Sequence, residues 1–162
     1  MNRIELVEEM VTALQGGDLR LAANTLADSF EMTGLTPNAL SKRHFLAVQS
    51  ELLAAMPDFS YNLSTLRDDE KVVHAIIRIS GTQTHDLNLP LFGVENIPAT
   101  GLAVALPQTH VTYQIENDKV VRMSAEAIVG GGLSGLLQQV GAELPLLLRE
   151  GDVSESDIGG AG

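Results

Sequence analysis

The stretch GTQTHDLNLPLFGVENIPATG, from Gly81 to Gly101, decides the fold because it separates two runs in which apolar and polar residues alternate. The first run extends from Lys71 to Thr84, and the second extends from Leu102 to Glu116. Alternation with a period of two is typical of strands that bury one face. We therefore expect a long strand on each side of this stretch, which itself forms the connection.

The connection combines polar and apolar side chains. It carries Gln83, His85 and Asp86 close to Leu89 and Phe92. Small-molecule sites are mostly apolar and hold a few polar groups that orient the ligand. This composition indicates that the stretch forms the rim of an apolar pocket.

Each of the two alternating runs has an apolar face and a mixed face. On the first strand the apolar face begins at Val73 and ends at Gln83, and on the second strand it includes Tyr113. These side chains are expected to face the core and the pocket. His74 and His110 project to the other face, where we expect a surface or an interface with a second copy rather than metal ligands.

The N-terminal part of the chain has the pattern of three amphipathic helices. Apolar residues recur at helical spacing in each of them. Asp18 and Ser41 can cap the second and third helices by accepting hydrogen bonds from free backbone N–H groups. The predicted helices cover residues 3–15, 18–26 and 41–56.

Strands dominate from Phe59 onward. A hairpin is predicted around the charged turn at Arg67–Glu70, the last strand is predicted over 119–129, and a short helix follows three glycines. Helices followed by consecutive antiparallel strands predict an α+β fold. We expect one domain over residues 1–145 and a disordered, acidic and glycine-rich tail over 146–162.

The composition limits the classes of partner and site. The 162-residue chain has a net charge of −11 and no cysteine. Nucleic acids and anionic membranes are bound through clustered Lys and Arg, so neither is expected as a partner. The four histidines lack short ligand spacing, and Gly130–Gly132 lacks the lysine of a phosphate loop, so no metal or cofactor is expected. The N-terminus lacks the apolar segment of a signal peptide, which predicts a cytoplasmic protein.

Five short motifs occur in a fixed order along the chain. They are Ala55-Met56-Pro57-Asp58-Phe59, Gly81-Thr82-Gln83-Thr84, Ile97-Pro98-Ala99-Thr100-Gly101, Asn117-Asp118-Lys119-Val120-Val121 and Gly135-Leu136-Leu137-Gln138-Gln139-Val140-Gly141. None of them is specific alone, but the ordered set resembles the SnoaL-like polyketide cyclases and ester cyclases, and the resemblance extends from about residue 4 to residue 142.

The resemblance implies the α+β fold of the nuclear transport factor 2 superfamily. In that fold a cone-shaped, curved and mostly antiparallel sheet carries three N-terminal helices over its concave face, and homodimers form through the sheet. The resemblance also implies an apolar pocket for a small apolar or polyketide-like ligand. In the enzymes of this family, an aspartate near the end of the last strand acts as acid and base without a cofactor.

The sequence departs from the family pattern at two positions. Gln83 occupies the place of the family histidine, and a glutamine does not exchange protons near pH 7. The place of the family aspartate falls on Ile128 when counted from Lys119, and on Gly132 when counted from Gly135. Glu126 has the strand parity of Ile128, so its carboxylate is the candidate replacement.

Two functions therefore remain open. In the first, the protein is a cofactor-independent cyclase or isomerase in which Glu126 and His85 transfer protons next to a carbonyl. The candidate ligand-binding residues are Gln83, Tyr113, Asp86 and Phe92. In the second, the protein is a non-catalytic ligand-binding or dimerisation module. Each candidate also has a structural alternative: Glu126 exposed or paired with Arg122, His85 and Asp86 in a solvated loop, and Tyr113 in the core.

Overall fold

The structure is a computed structural model that describes residues 2–144. It contains four helices, eight strands and one short 3₁₀ turn at Pro90–Phe92. The predicted tail at 146–162 lies outside the described residues. The helices are α1 (Arg3–Gly16), α2 (Leu19–Thr25), α3 (Lys42–Ala55) and α4 (Gly132–Gln139). The strands are β1 (Leu26–Thr33), β2 (Leu40–Ser41), β3 (Ser64–Asp68), β4 (Val72–Ile77), β5 (Ser80–Thr82), β6 (Ala103–Ala105), β7 (Thr109–Glu116) and β8 (Lys119–Ala125).

Local capping fixes where the first three helices begin. Asn2 and Glu5 form a capping box at the start of α1, in which each side chain bonds to the other residue's backbone N–H. Asp18 accepts a hydrogen bond from the backbone N–H of Leu21, and Ser41 accepts one from that of His44. These helices confirm the predicted N-terminal half, including both predicted N-caps.

Six strands form the main sheet, in the order β2-β1-β8-β7-β4-β3. Its neighbouring strands are antiparallel except for β1 and β8, which pair in parallel. The sheet is curved and mostly antiparallel, which confirms the predicted α+β class. The parallel pair brings the end of α2 and the loop after β1 beside the last strand.

Both of the predicted long strands are broken in the structure. The first is divided into β4 and β5 at Arg78–Ile79, and the second is divided into β6 and β7 around Pro107. Proline lacks a backbone N–H and cannot donate to a strand ladder, which interrupts the second strand. The short pieces β5 and β6 pair in a separate two-stranded sheet. These breaks turn the chain away from the main sheet just before and just after the Gly81–Gly101 connection.

The predicted sidedness of the strands is confirmed. Val73, Ala75 and Ile77 of β4 and Val111 and Tyr113 of β7 are all buried. The intervening residues of both strands are half-buried or exposed. We call the buried side the inner face and the other side the outer face.

Aromatic packing attaches α3 to the sheet. The rings of Phe45 in α3 and Phe30 in β1 lie 5.2 Å apart between centroids, and both side chains are buried. Burial of a phenylalanine side chain contributes roughly 1.5–3 kcal/mol to stability. This contact holds α3 over the inner face, where Phe45 also lines an apolar cavity.

Candidate functional site

A cavity of about 50 Å³ lies between α3, α4 and the inner side of the sheet. One water molecule needs roughly 10–15 Å³ of such volume, so the space holds a few waters or a small organic group. Its surface is almost entirely apolar. The lining residues are Met32, Leu35, Thr36, Leu40, Phe45, Val48, Gln49, Leu52, Phe59, Tyr61, Ile79, Leu106, Gly132, Leu133 and Leu136.

Two polar side chains of the lining form one hydrogen-bonded pair. The hydroxyl of Tyr61 donates to Oε1 of Gln49 at 2.5 Å, and Nε2 of Gln49 donates to the carbonyl oxygen of Leu14 at 3.3 Å. Both side chains are buried. Burial raises the pKa of the Tyr61 phenol well above its usual range, because the phenolate form would be desolvated. Tyr61 is therefore a neutral hydroxyl group held in one orientation.

Close backbone contacts fix the segment that lies beside the cavity after β1. A side chain at Gly34 is excluded, because an added Cβ would lie 1.9 Å from the carbonyl oxygen of Ala125. Gly34 also has a φ of 99°, which glycine adopts at no steric cost. The backbone N–H of Leu133 donates to the carbonyl oxygen of Leu35 at 2.8 Å. These contacts hold the half-buried residues Leu35 and Thr36 against the start of α4.

Gln83 holds the Gly81–Gly101 connection together. Its Nε2 donates to the carbonyl oxygens of Ile97 and Pro98 at 3.1 and 3.2 Å, and its Oε1 accepts from the Thr100 hydroxyl at 2.7 Å. The residue is fully buried and does not line the cavity. All the hydrogen bonds of its side chain run to the far end of the same connection, so its amide closes the loop.

His85 and Asp86 lie at the exposed surface of the connection. The ring of His85 bonds through Nδ1 to the Thr84 hydroxyl at 3.0 Å. The carboxylate of Asp86 accepts hydrogen bonds from Nδ2 of Asn96 and from the backbone N–H of Ala99, both at 3.1 Å. Neither residue lines the cavity. The structure therefore places them in the loop's own hydrogen-bond network.

Tyr113 and Phe92 are packed in the hydrophobic core. Tyr113 is fully buried on the inner face, and its hydroxyl has no hydrogen-bond partner among the described residues. Phe92 is buried in the 3₁₀ turn of the connection. Neither side chain contributes to the cavity lining.

Glu126 lies on the outer face, away from the cavity. Its backbone N–H donates to the carbonyl oxygen of His110 at 2.9 Å, and its carboxylate lies 3.4 Å from the backbone nitrogen of His110. A β-bulge explains this position, because Ile115 pairs with Val120 whereas Gln114 pairs with Arg122, which leaves one extra residue in β8. The sequence interpretation assumed unbroken strand parity. The bulge reverses that parity, so that Met123 faces inward while Arg122 and Ser124, and with them Glu126, face outward.

The structure thus does not bring the predicted site residues together at one cavity. Its cavity is instead built around Tyr61 and Gln49, which the sequence analysis did not single out. One signal was present: Gln49 interrupts the apolar stripe of α3, four residues after Phe45. A polar residue on an apolar helical face is a candidate for a buried hydrogen bond.

Within residues 2–144, no group of three or more His, Asp or Glu side chains has the arrangement of a metal cluster. No helix in that range is long and apolar enough to cross a bilayer.

Most of the chain matches one known protein family. The sequence profile of the SnoaL-like domain matches residues 7–123, which is most of the chain. The chain belongs to the SnoaL-like domain family. No curated protein matches it in sequence.

Solved structures support this assignment at the level of the fold. TsrD from Streptomyces laurentii is 22% identical with a TM-score of 0.65, over 88% of this chain and 98% of TsrD. AclR from Streptomyces galilaeus, a proposed hydroxylase, is 21% identical with a TM-score of 0.65, over 86% of this chain and 95% of AclR. IdmH from Streptomyces antibioticus, a proposed polyketide cyclase, is 14% identical with a TM-score of 0.65, over 88% of this chain and 100% of IdmH. This SnoaL-like protein therefore has the nuclear transport factor 2-like fold.

Proposed function

We propose that this SnoaL-like protein binds a small, mostly apolar molecule in the cavity between α3, α4 and the sheet. The observation that carries the proposal is the buried Tyr61–Gln49 pair in an otherwise apolar lining. Apolar walls favour a hydrophobic ligand, and a few fixed polar groups orient it. A phenol and an amide form hydrogen bonds without exchanging protons near pH 7, which favours binding over acid–base chemistry.

The polar pair also indicates which functional group the ligand carries. The Tyr61 hydroxyl donates its hydrogen bond to Gln49, so the hydroxyl oxygen can still accept a hydrogen bond from a ligand. A ligand with a hydroxyl or N–H group can donate to that oxygen without breaking the pair. A ligand carbonyl has to compete with Gln49 for the Tyr61 proton. We therefore expect hydroxyl-bearing apolar molecules to bind more tightly than ketones of the same size.

The size of the ligand is limited by the contact between Leu35 and Leu133. The present volume of about 50 Å³ suits a few heavy atoms. A larger, polyketide-like ligand requires the segment after β1 to separate from α4. That movement breaks the hydrogen bond from the Leu133 N–H to the Leu35 carbonyl.

The experiment is a titration of the ¹⁵N-labelled chain with 2-propanol and with acetone, which have the same number of heavy atoms and carry a hydroxyl and a carbonyl group respectively. We expect amide shifts for residues such as Val48 and Leu133, and tighter binding of 2-propanol. In Tyr61→Phe the preference for 2-propanol should disappear while acetone still binds. His85→Gln is the matched control and should bind both compounds like the unsubstituted chain. Shifts confined to the Gly81–Gly101 connection, or none at all, would refute the proposal.

A second function is favoured by the family resemblance, since IdmH is a proposed polyketide cyclase. In that case the protein catalyses proton transfer next to a carbonyl, and the neutral Tyr61 hydroxyl stabilises the enolate oxygen. Glu126 and His85 remain the proposed proton acceptors, and because both lie outside the cavity lining, this function requires a rearrangement that brings one of them to the ligand. Exchange of the α-protons of cyclohexanone in D₂O, followed by NMR, tests this function. Exchange no faster than in buffer would leave ligand binding as the function of the cavity.

We also propose that two copies of the chain associate through the outer face. This face carries the half-buried apolar residues Val72, Ile76 and Val121 beside polar Thr112 and Gln114. Such mixed character is common at interfaces between subunits. The assembly would leave the cavity accessible, because α3 and α4 lie on the other side of the sheet.

A further inference from the structure

Two histidines meet on the outer face, where the sequence analysis expected surface or interface residues. Nδ1 of His74 in β4 lies 3.1 Å from Nε2 of His110 in β7. The strand register fixes this distance, because His74 pairs with Thr112 and Ile76 pairs with His110, which makes the two histidines diagonal neighbours on one face. In a single copy of the chain His110 is exposed and His74 is half-buried, so a small solute can reach the pair. The pair lies beside Ile76 and Thr112, so the association proposed above would cover it, and metal uptake competes with that association.

A carboxylate orients the first histidine. Nε2 of His74 lies 2.8 Å from Oδ2 of Asp69, whose ionised side chain only accepts hydrogen bonds. His74 therefore carries its proton on Nε2, and its Nδ1 presents a free lone pair to His110. Asp69 is itself fixed by hydrogen bonds from the backbone N–H groups of Val72 and Lys71. The bond from Val72, followed by the bond to His74 and the bond from Lys71, holds the pKa of its carboxyl below the usual range.

We propose that the His74–His110 pair binds a divalent transition-metal ion such as Zn²⁺, Ni²⁺ or Cu²⁺. Two imidazole nitrogens that each lie about 2.0–2.1 Å from a metal ion are roughly 2.9–3.4 Å apart for coordination angles between 90° and tetrahedral. The observed 3.1 Å falls in this interval. Imidazole ligands suit these metals, and a carboxylate behind a ligating histidine is a recurrent support.

Metal binding changes the protonation pattern of the pair and turns the two rings, so that both lone pairs point to the ion instead of along the line between the nitrogens. His110 moves its proton from Nε2 to Nδ1, so both nitrogens that face each other become ligands. With two protein ligands, water occupies the remaining coordination positions of the ion. The site is separate from the cavity and does not depend on its proposed function.

The test is a calorimetric titration of the untagged full chain with Zn²⁺ and Ni²⁺, combined with Cu²⁺ electron paramagnetic resonance. We expect one ion per chain and nitrogen hyperfine splitting from two imidazoles. His74→Gln and His110→Gln should each abolish the stoichiometric uptake. Asp69→Asn keeps both ligands and should weaken binding by about 10- to 100-fold.

Matched controls separate this site from other carboxylates and histidines of the chain. His44→Gln and His85→Gln remove the other two histidines and should leave the uptake unchanged. Circular dichroism of every variant establishes that the fold is intact, and light scattering with and without metal gives the mass of the metal-bound species. The proposal is overturned if His74→Gln and His110→Gln bind the ion as the unsubstituted chain does. It is also overturned if the unsubstituted chain takes up no ion.

Discussion

The hydroxyl of Tyr61 lies 2.5 Å from Oε1 of Gln49 and joins the segment after α3 to the helix itself. Gln49 bonds in turn to the backbone of α1 through the Leu14 carbonyl. One side-chain amide therefore connects the first helix, the third helix and the cavity. This arrangement makes the pair a structural element and a recognition element at the same time.

Substitution of the two buried tyrosines should have opposite consequences. Tyr61→Phe leaves Oε1 of Gln49 buried without a donor, which we expect to lower the free energy of unfolding by about 1–3 kcal/mol. Tyr113→Phe is the matched control, because the Tyr113 hydroxyl is buried with no partner among the described residues. Removal of an unsatisfied hydroxyl should leave stability unchanged or raise it. Urea denaturation of both variants checks the difference, and an equal loss in both would contradict it.

Gln83→Leu should loosen the Gly81–Gly101 connection. The substitution removes the Gln83 donor from the Pro98 carbonyl and the Gln83 acceptor from the Thr100 hydroxyl, whereas the Ile97 carbonyl keeps its bond from the Leu87 N–H. We expect a loss of about 1–3 kcal/mol in stability. The connection should also become more sensitive to limited proteolysis. His85→Gln, in the same connection but exposed, should behave like the unsubstituted chain. Unchanged proteolysis in Gln83→Leu would show that the amide does not close the loop.

Asp58 should make stability depend on pH in the acidic range. Its carboxylate accepts hydrogen bonds from the backbone N–H and the hydroxyl of Thr82 at 2.7 and 2.8 Å, and the backbone bond is the main reason why its pKa lies below 3.8. A carboxyl whose pKa is lower in the folded than in the unfolded state stabilises the fold above the unfolded pKa. This contribution is lost as the pH falls through the folded pKa.

Asp58→Asn provides the measurement for that prediction. The unsubstituted chain should be more stable than the variant near neutral pH. The difference in urea midpoint should shrink as the pH falls below about 3.8. A difference that stays constant down to the acid limit would show that Asp58 does not titrate with folding.

Association through the outer face should depend on Ile76. Ile76→Glu places a charge on this half-buried position and should favour the monomer, because a carboxylate is costly to bury without a partner. Light scattering at micromolar concentration should give a dimer for the unsubstituted chain and a monomer for the variant. Glu8→Gln in α1 alters an exposed residue on the opposite side and serves as the control. A monomeric mass for the unsubstituted chain would refute the assembly.

The sequence predicted most of the fold because helices and strands leave their patterns within short stretches of neighbouring residues. Helical spacing and cap residues such as Asp18 and Ser41 located the helices, and alternation located the buried faces of β4 and β7. Interruptions of the strands were harder to predict. The division at Pro107 had a visible signal, but the β-bulge in β8 depends on the register between two strands and leaves no clear mark in the sequence.

The candidate site was less predictable than the fold, because it depends on contacts between elements that are distant along the chain. Gln83 lies at a family motif, yet its amide bonds within its own connection. Glu126 had the expected strand parity, yet the bulge directs it to the outer face. Tyr61 and Gln49 became neighbours only when α3 packed over the sheet, and no spacing rule relates two residues on different elements.

The sequence by itself determined the α+β class, the helices and the sidedness of the strands, since these follow from periodicity and caps within a few residues. It also determined the family through the ordered motifs. Only the tertiary structure decided that Tyr61 and Gln49 share the cavity and that His74 and His110 share the outer face. Those contacts depend on strand register and helix packing, which bring together groups that are distant along the chain.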